Sequence, residues 1–183
     1  MYIDWDKLKF FWRVEVLGGE KKPFSIFKLW RRVRQKEQAH YLFWFRLAQF
    51  LYRRERGLIN YPKIAKRIQS KLIITHGIDI MLGSEIGPGL KFAHRAGIVV
   101  AGAARIGKNL YIRQNTTIGI KESGQDGLIY IGDNVDIGAH ACIIGNDLHI
   151  GDNVTIGAMA FVNRNIPDNT VYFTAHTPVM RSK

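Results

Sequence analysis

From residue 78 onward, apolar residues fall at a period of six: Ile80, Ile86 and Phe92, then Val100, Ile106, Ile112 and Ile118, then Ile131 and Ile137, then Ile144, Ile150, Ile156 and Val162. The phrases IGKNLY, IGDNVD, IGNDLH and IGDNVT are variants of one hexad. Helical spacing is absent here, and a hexapeptide period predicts a parallel β-helix. Each hexad supplies one short strand and one corner of a triangular coil, so about 18 residues complete a turn. The leading aliphatic residue points inward, and the fifth residue (Thr116, Val135, Ala141, Val154, Ala160) fills the remaining space. Gly follows the aliphatic residue. Asn109, Asn134, Asp147 and Asn153 lie beyond it, residue types that tolerate a left-handed backbone at tight corners. Stacked coils then satisfy each other's N–H and C=O groups.

The period breaks in three places: a step of eight from Phe92 to Val100, one of thirteen from Ile118 to Ile131, and one extra residue between Ile137 and Ile144. Solenoids depart from their repeat where a ligand or neighbouring subunit is accommodated, and the thirteen-residue stretch predicts a projecting loop. His94 falls inside the first break.

The chain before residue 77 reads as helical. Pro23 ends an irregular opening, and the Gly- and Pro-free run from Ser25 predicts helix with a break near Gln35–Gln38, terminated by Gly57. Asn60 is a cap for a further helix, Pro62 suits its first turn, and Ile64, Ile68 and Leu72 share one face. Tyr41, Leu42, Phe43, Trp44 and Phe45 cover most of a helix circumference, which calls for burial on more than one side, within the protein or in shallow contact with a bilayer. The organisation expected is a basic α-helical region over 1–76, a β-helix over 77–172 and a tail over 173–183.

Charge divides along the same line. Residues 1–76 hold 18 Lys and Arg against 6 Asp and Glu, whereas 77–183 hold 9 of each, so the whole excess of +12 sits in the helical region. Such a segment either attracts anionic partners (lipid headgroups, nucleic acid or an acidic glycan) or is a solvated helix face that keeps the protein soluble. The single cysteine, Cys142, rules out an internal disulfide framework and is read as a small core residue. No apolar stretch reaches the length of about 18 residues needed to span a bilayer. The opening lacks the order of a secretory signal, so the expected location is the cytoplasm, with peripheral contact at the inner membrane.

The stretch IDIMLGSEIGPGLKFAHRAGIVVAGAARIGKNLYIRQNTTIG resembles the catalytic half of bacterial serine O-acetyltransferases. The likeness runs on through IGAHACIIG and IGAMAFV to TPV, and back weakly to FRLAQFLYRRERGL, covering about residues 40–180. The Asp of IDI followed fifteen residues later by the His of HRAGIVV is its most specific element. The resemblance implies a mainly β chain, a left-handed parallel β-helix preceded by an α-helical region. It implies a homotrimer with sites between subunits and acetyl-CoA as co-substrate. It assigns His94 as the general base and Asp79 as the carboxylate that orients it. It places Ala139 and Ala158 along the pantetheine arm and Gly119 near the thioester. Arg164, late in the chain, is a candidate for the CoA phosphates. The chemistry suits these residue types: a neutral imidazole removes an alcohol's proton during attack on a thioester, worth about 10²–10⁴-fold. A carboxylate on the other ring nitrogen fixes the tautomer.

Two positions depart from the family pattern. Ala93 stands where the serine enzymes carry Asp, and the loop KESGQDGLIY lacks their Arg-His pair. With the basic helical region, these departures make a sugar hydroxyl of a surface polysaccharide or its lipid-linked precursor the expected acceptor, as in capsule and colanic-acid-type O-acetyltransferases. Serine is the alternative, and a non-enzymatic β-helix scaffold, against which the Asp79–His94 pair counts, is a second. No nucleic-acid partner is expected. No metal is expected either, since His140 and His149 lack the spacing of the zinc-binding β-helix carbonic anhydrases. His40, His76 and His176 belong to no constellation visible in the sequence.

Overall fold

A computed structural model describes residues 3–54, 59–121, 127–175, 177 and 180–181. Four α-helices come first: α1 (Trp5–Phe11), α2 (Ile26–Gln35), α3 (Glu37–Tyr52) and α4 (Tyr61–His76). The opening expected to be irregular is instead helical. Asp4 caps α1 by accepting from the Lys7 N–H at 2.8 Å, and a π-helical turn over Trp12–Val16 extends it. Leu8, Phe11, Trp12 and Val16 then bury against the other helices. Ser25 caps α2 and Asn60 caps α4, each accepting the N–H three residues on. The break between α2 and α3 falls at the extended residue Lys36. The expected terminator Gly57 lies outside the described residues. On α4 the buried residues are Ala65 and Leu72, with Ile68 half-buried. Ile64, expected on that face, is exposed. Gly77, at φ 64°, ends α4 in the left-handed conformation that glycine adopts freely.

A left-handed β-helix follows. Its first sheet stacks β1 (Ile78–Ile80), β4 (Ile98–Val100), β7 (Thr117–Gly119), β10 (Cys142–Ile144) and β13 (Phe161–Val162). The second stacks β2 (Glu85–Ile86), β5 (Ala104–Ile106), β8 (Ile129–Ile131) and β11 (Leu148–Ile150). The third stacks β3 (Lys91–Phe92), β6 (Tyr111–Ile112), β9 (Asp136–Ile137), β12 (Thr155–Ile156) and β14 (Val171–Tyr172). All pairings are parallel, every third strand meeting its equivalent in the next coil. The leading aliphatic residues line the axis and the fifth residues Thr116, Val135, Ala141, Val154 and Ala160 are buried with them.

One register differs from expectation. Ile143, not Ile144, is the inward residue of β10, aligned with Ile118 below and Val162 above. The extra residue therefore lies between Ile143 and Ile150. Because side chains alternate along a strand, this shift also turns Cys142 outward, half-exposed, rather than into the core.

Asn109, Asn134, Asn153 and Asn169 occupy left-handed corners and form a ladder, each Nδ2 donating to the Oδ1 of the next at 2.9–3.1 Å. Beside it the carboxylates of Asp133, Asp152 and Asp168 accept N–H groups of the coil below. A Cβ at Gly107, Gly132 or Gly151 would collide with those carboxylates, hence the Gly of the hexad.

The lower edge of the first coil is closed by helix side chains. Arg46 donates to the carbonyls of Ile86 and Gly87 at 2.8 Å, Gln49 to Ser84 O at 3.1 Å, and Gln69 to Ile80 O at 3.3 Å. Glu15 accepts from the N–H groups of Gly89 and Leu90 and pairs with Arg46 at 2.6 Å, both side chains being fully buried. The aromatic cluster of α3 serves the same closure: Tyr41 stacks on Phe45 and meets Phe92 edge-on, and Phe43 stacks on Trp12. Its burial is within the protein, and no helix among the described residues is long and apolar enough to cross a membrane.

Candidate active site on the first sheet

Strand register sets which side chains share a face. On the outside of the first sheet Asp79, Val99, Thr117, Cys142 and Phe161 form one column. Asp79 is its only charge. The corresponding columns include Glu85 and Arg105 on the second sheet and Lys91 and Asp136 on the third. Val99 and Phe161 are 42% and 49% exposed, large apolar groups facing out.

The other predicted site residues flank this face. His94 lies in the corner leading into β4. Ala96, Gln114, Ala139 and Ala158 stack along the same edge, through Asn115 N to Ala96 O, His140 N to Gln114 O and Met159 N to Ala139 O at 2.8–3.0 Å. At a rung spacing of about 4.8 Å, Ala96 and Ala158 are about 14 Å apart along the axis. The opposite edge carries Gly119, in register with Ile144. Beyond β13, exposed Arg164 shares with Lys121 the rim of a cavity of about 630 Å³. The break-containing loop above Gly119 belongs in part to 122–126, outside the described residues, as do His176 and Lys183.

Asp79 is half-buried and its Oδ1 accepts from Gln69 Nε2 at 3.2 Å. His94 is exposed, and among the described residues no hydrogen bond joins it to Asp79 within one chain. His140 and Met159 hold left-handed corners (φ 61° and 59°), and His149 stacks on Tyr130 of the second sheet at 4.6 Å. Among the described residues no group of three or more His, Cys, Asp or Glu side chains could hold a metal ion.

Three features were not legible in the sequence. Gln114 Oε1, on the edge between the His94 corner and Ala139, is shut off from solvent and accepts no hydrogen bond among the described residues. Arg95, next to His94, pairs with Glu37 of α3. His40 and His76 meet at 3.2 Å. Only the packing of helices on the first coils unites the last two pairs, which are 58 and 36 residues apart.

No protein-family model matches the chain. Its sequence is 35% identical over 109 residues to serine acetyltransferase 1, chloroplastic, of Arabidopsis thaliana, an alignment covering 58% of this chain and 31% of that protein. Among solved structures, soybean serine acetyltransferase complexed with serine superposes with a TM-score of 0.69 at 28% identity, covering 92% of this chain and 65% of that one. Serine acetyltransferase isoform 3 of Entamoeba histolytica, in complex with cysteine, gives 0.69 at 30% identity over 79% of this chain and 50% of that one. The chain thus has the fold of the serine acetyltransferases, hexapeptide-repeat acyltransferases, while spanning less than two thirds of the length of these relatives.

The expectation of a polysaccharide acceptor is overturned, since these relatives are serine acetyltransferases. That expectation leaned on Ala93, on the loop without an Arg-His pair and on the basic, aromatic helical region as a glycan- or membrane-facing surface. Part of that region is instead engaged inside the chain, with Arg46 and Tyr41, Phe43 and Phe45 of α3 buried and Arg53 paired to Glu85.

Proposed function

We propose that this protein is an acetyl-CoA-dependent serine O-acetyltransferase that works as a homotrimer packed through the first sheet. One observation carries the reading: Asp79, His94, Gly119, Ala139, Ala158 and Arg164, scattered over 86 positions, lie on or beside one nearly uncharged face. The likeness to a serine acetyltransferase complexed with serine, over 92% of the chain, supports serine as the acceptor.

In this reading the serine hydroxyl gives its proton to an imidazole nitrogen of His94 as its oxygen attacks the thioester carbon. Backbone N–H groups at the strand edge receive the oxyanion. Collapse breaks the C–S bond, and the leaving CoA sulfur takes the proton back from the imidazolium, giving O-acetylserine and CoA. Asp79 stabilises the imidazolium. The pantetheine arm runs along the Ala139–Ala158 edge, Gly119 keeps the thioester's approach open, and Arg164 with Lys121 meets phosphate oxygens.

The test is CoA release from acetyl-CoA with L-serine. Wild-type turnover that falls about 10²–10⁴-fold in His94→Ala, with the melting temperature unchanged, is the expected result. Absence of serine turnover in the wild type overturns the acceptor, and undiminished turnover in His94→Ala overturns the base.

A further inference from the structure

Behind the His94 corner, between α2, the start of α3, the end of α4 and Arg95, lies a cavity of about 610 Å³, within the size range of small-molecule sites. None of the residues given a role in acetyl transfer lines it. Two indoles, Trp30 and Trp44, form apolar walls. His40 Nδ1 and His76 Nε2 sit 3.2 Å apart, so one ring donates to the other. Arg34 and Arg95 bring guanidinium groups, and Glu37 is the only carboxylate in the lining. Glu37 is committed to Arg95, while exposed Arg34 has no carboxylate partner among the described residues. With both imidazoles neutral, the lining keeps one uncompensated positive charge.

The groups facing the histidines reinforce that sign. Burial and Lys71 of α4 lower the pKa of His40. Burial, His40 and Arg95 lower that of His76, and only Glu37 acts the other way. Lys71 also lines a smaller cavity that adjoins this one through His40, Trp44 and Thr75. A positive recess with flat apolar walls is incomplete without an anion.

We infer that this cavity is a binding site for a small organic monoanion, a carboxylate carried on a flat apolar body. The Arg34 fork takes both carboxylate oxygens, the indoles take the body, and the histidine pair closes the pocket with a donor. A single free charge suits a monoanion better than a phosphate dianion. Because Arg95 adjoins His94, occupancy bears on the corner that carries the proposed base. That effect on acetyl transfer rests on the function proposed above, whereas the binding does not.

The experiment is ligand-observed NMR and thermal shift on the full chain with three probes, sodium benzoate, benzyl alcohol and inorganic phosphate, at pH 6 and pH 8. Benzoate is expected to bind saturably and benzyl alcohol not to bind. Benzoate should bind more tightly at pH 6, where an imidazole takes up a proton beside the anion. Arg34→Gln should weaken benzoate about tenfold, the loss of one charge-assisted contact, with the ligand-free melting temperature unchanged. His76→Gln should remove the pH dependence. Benzoate binding that is non-saturable, or indifferent to Arg34→Gln, overturns the site, as does tighter binding of phosphate or benzyl alcohol. Serine turnover, measured separately, keeps failure of the acetyltransfer reading distinct from failure of the site.

Discussion

Arg46 and Glu15 are fully buried, a situation that costs several kcal/mol of desolvation per ion unless every lone pair and proton finds a partner. Here they do: the guanidinium serves Glu15, Gln49 and two carbonyls of the first coil, and the carboxylate also takes two N–H groups. Arg46→Met is therefore expected to lower stability by about 3–5 kcal/mol, since it leaves a buried carboxylate and open carbonyls, a loss read from urea unfolding. Adding Glu15→Gln to that variant should return part of the loss. Nothing in the sequence announces this cluster. Glu15 and Arg46 are 31 residues apart and the carbonyls 40 beyond, with no period to connect them. Polar residues within a helical pattern read as surface until the packing of α3 is known.

At the scale of elements, the hexads made the β-helix legible because each rung repeats the same steric demand on the axis. The one slip, at CIIGN, arises because two isoleucines adjoin. Counting forward from Ile137 gives Ile143 and counting back from Ile150 gives Ile144. The pairing of β10 with β7 decides for Ile143 and sends the extra residue to the corner beside Lys121, whose N–H donates to Asn146 Oδ1 at 3.2 Å. The helix pair α3 and α4 carries a pH dependence that no pattern foretold. His40 and His76 hold pKa values below 6.5, so in the window beneath 6.5 the unfolded chain binds more protons than the folded one. Their contribution is complete above 6.5 and is lost as the pH falls below it. Thermal denaturation across pH 7.5 to 5.5 should show the wild type losing more than His76→Gln, and equal slopes would refute the assignment.

At the scale of the whole molecule, the proposed trimer packs on the outer face of the first sheet. Its outer column replaces the charges of the other sheets with Val99, Thr117, Cys142 and Phe161, beside Asp79. The candidate site was legible in the sequence as a set of residues but not as a place, because only the coil register brings His94, Ala139 and Ala158 to one edge. Phe161→Lys is expected to convert a trimer into monomers with an unchanged circular dichroism spectrum. Light scattering of both chains checks this, and a wild-type monomer would contradict the proposed assembly.

The two ends of the solenoid are finished differently, and this sets a direction for its motions. Below, every named carbonyl of the first coil is held by a side chain from a helix. Above, the last strands are the short β13 and β14, and the chain between them meets β11 through a single isolated bridge, Ile166 to Ile150. Coils that touch only their neighbours open from whichever end is cheaper to free. Amide exchange should therefore run as a gradient, slowest in β1, β4 and β5 and fastest in β13 and β14. The Ala158 and Arg164 end of the proposed cofactor track would then breathe while the His94 end stays still, so acetyl-CoA should slow exchange most in the coils farthest from the reacting groups.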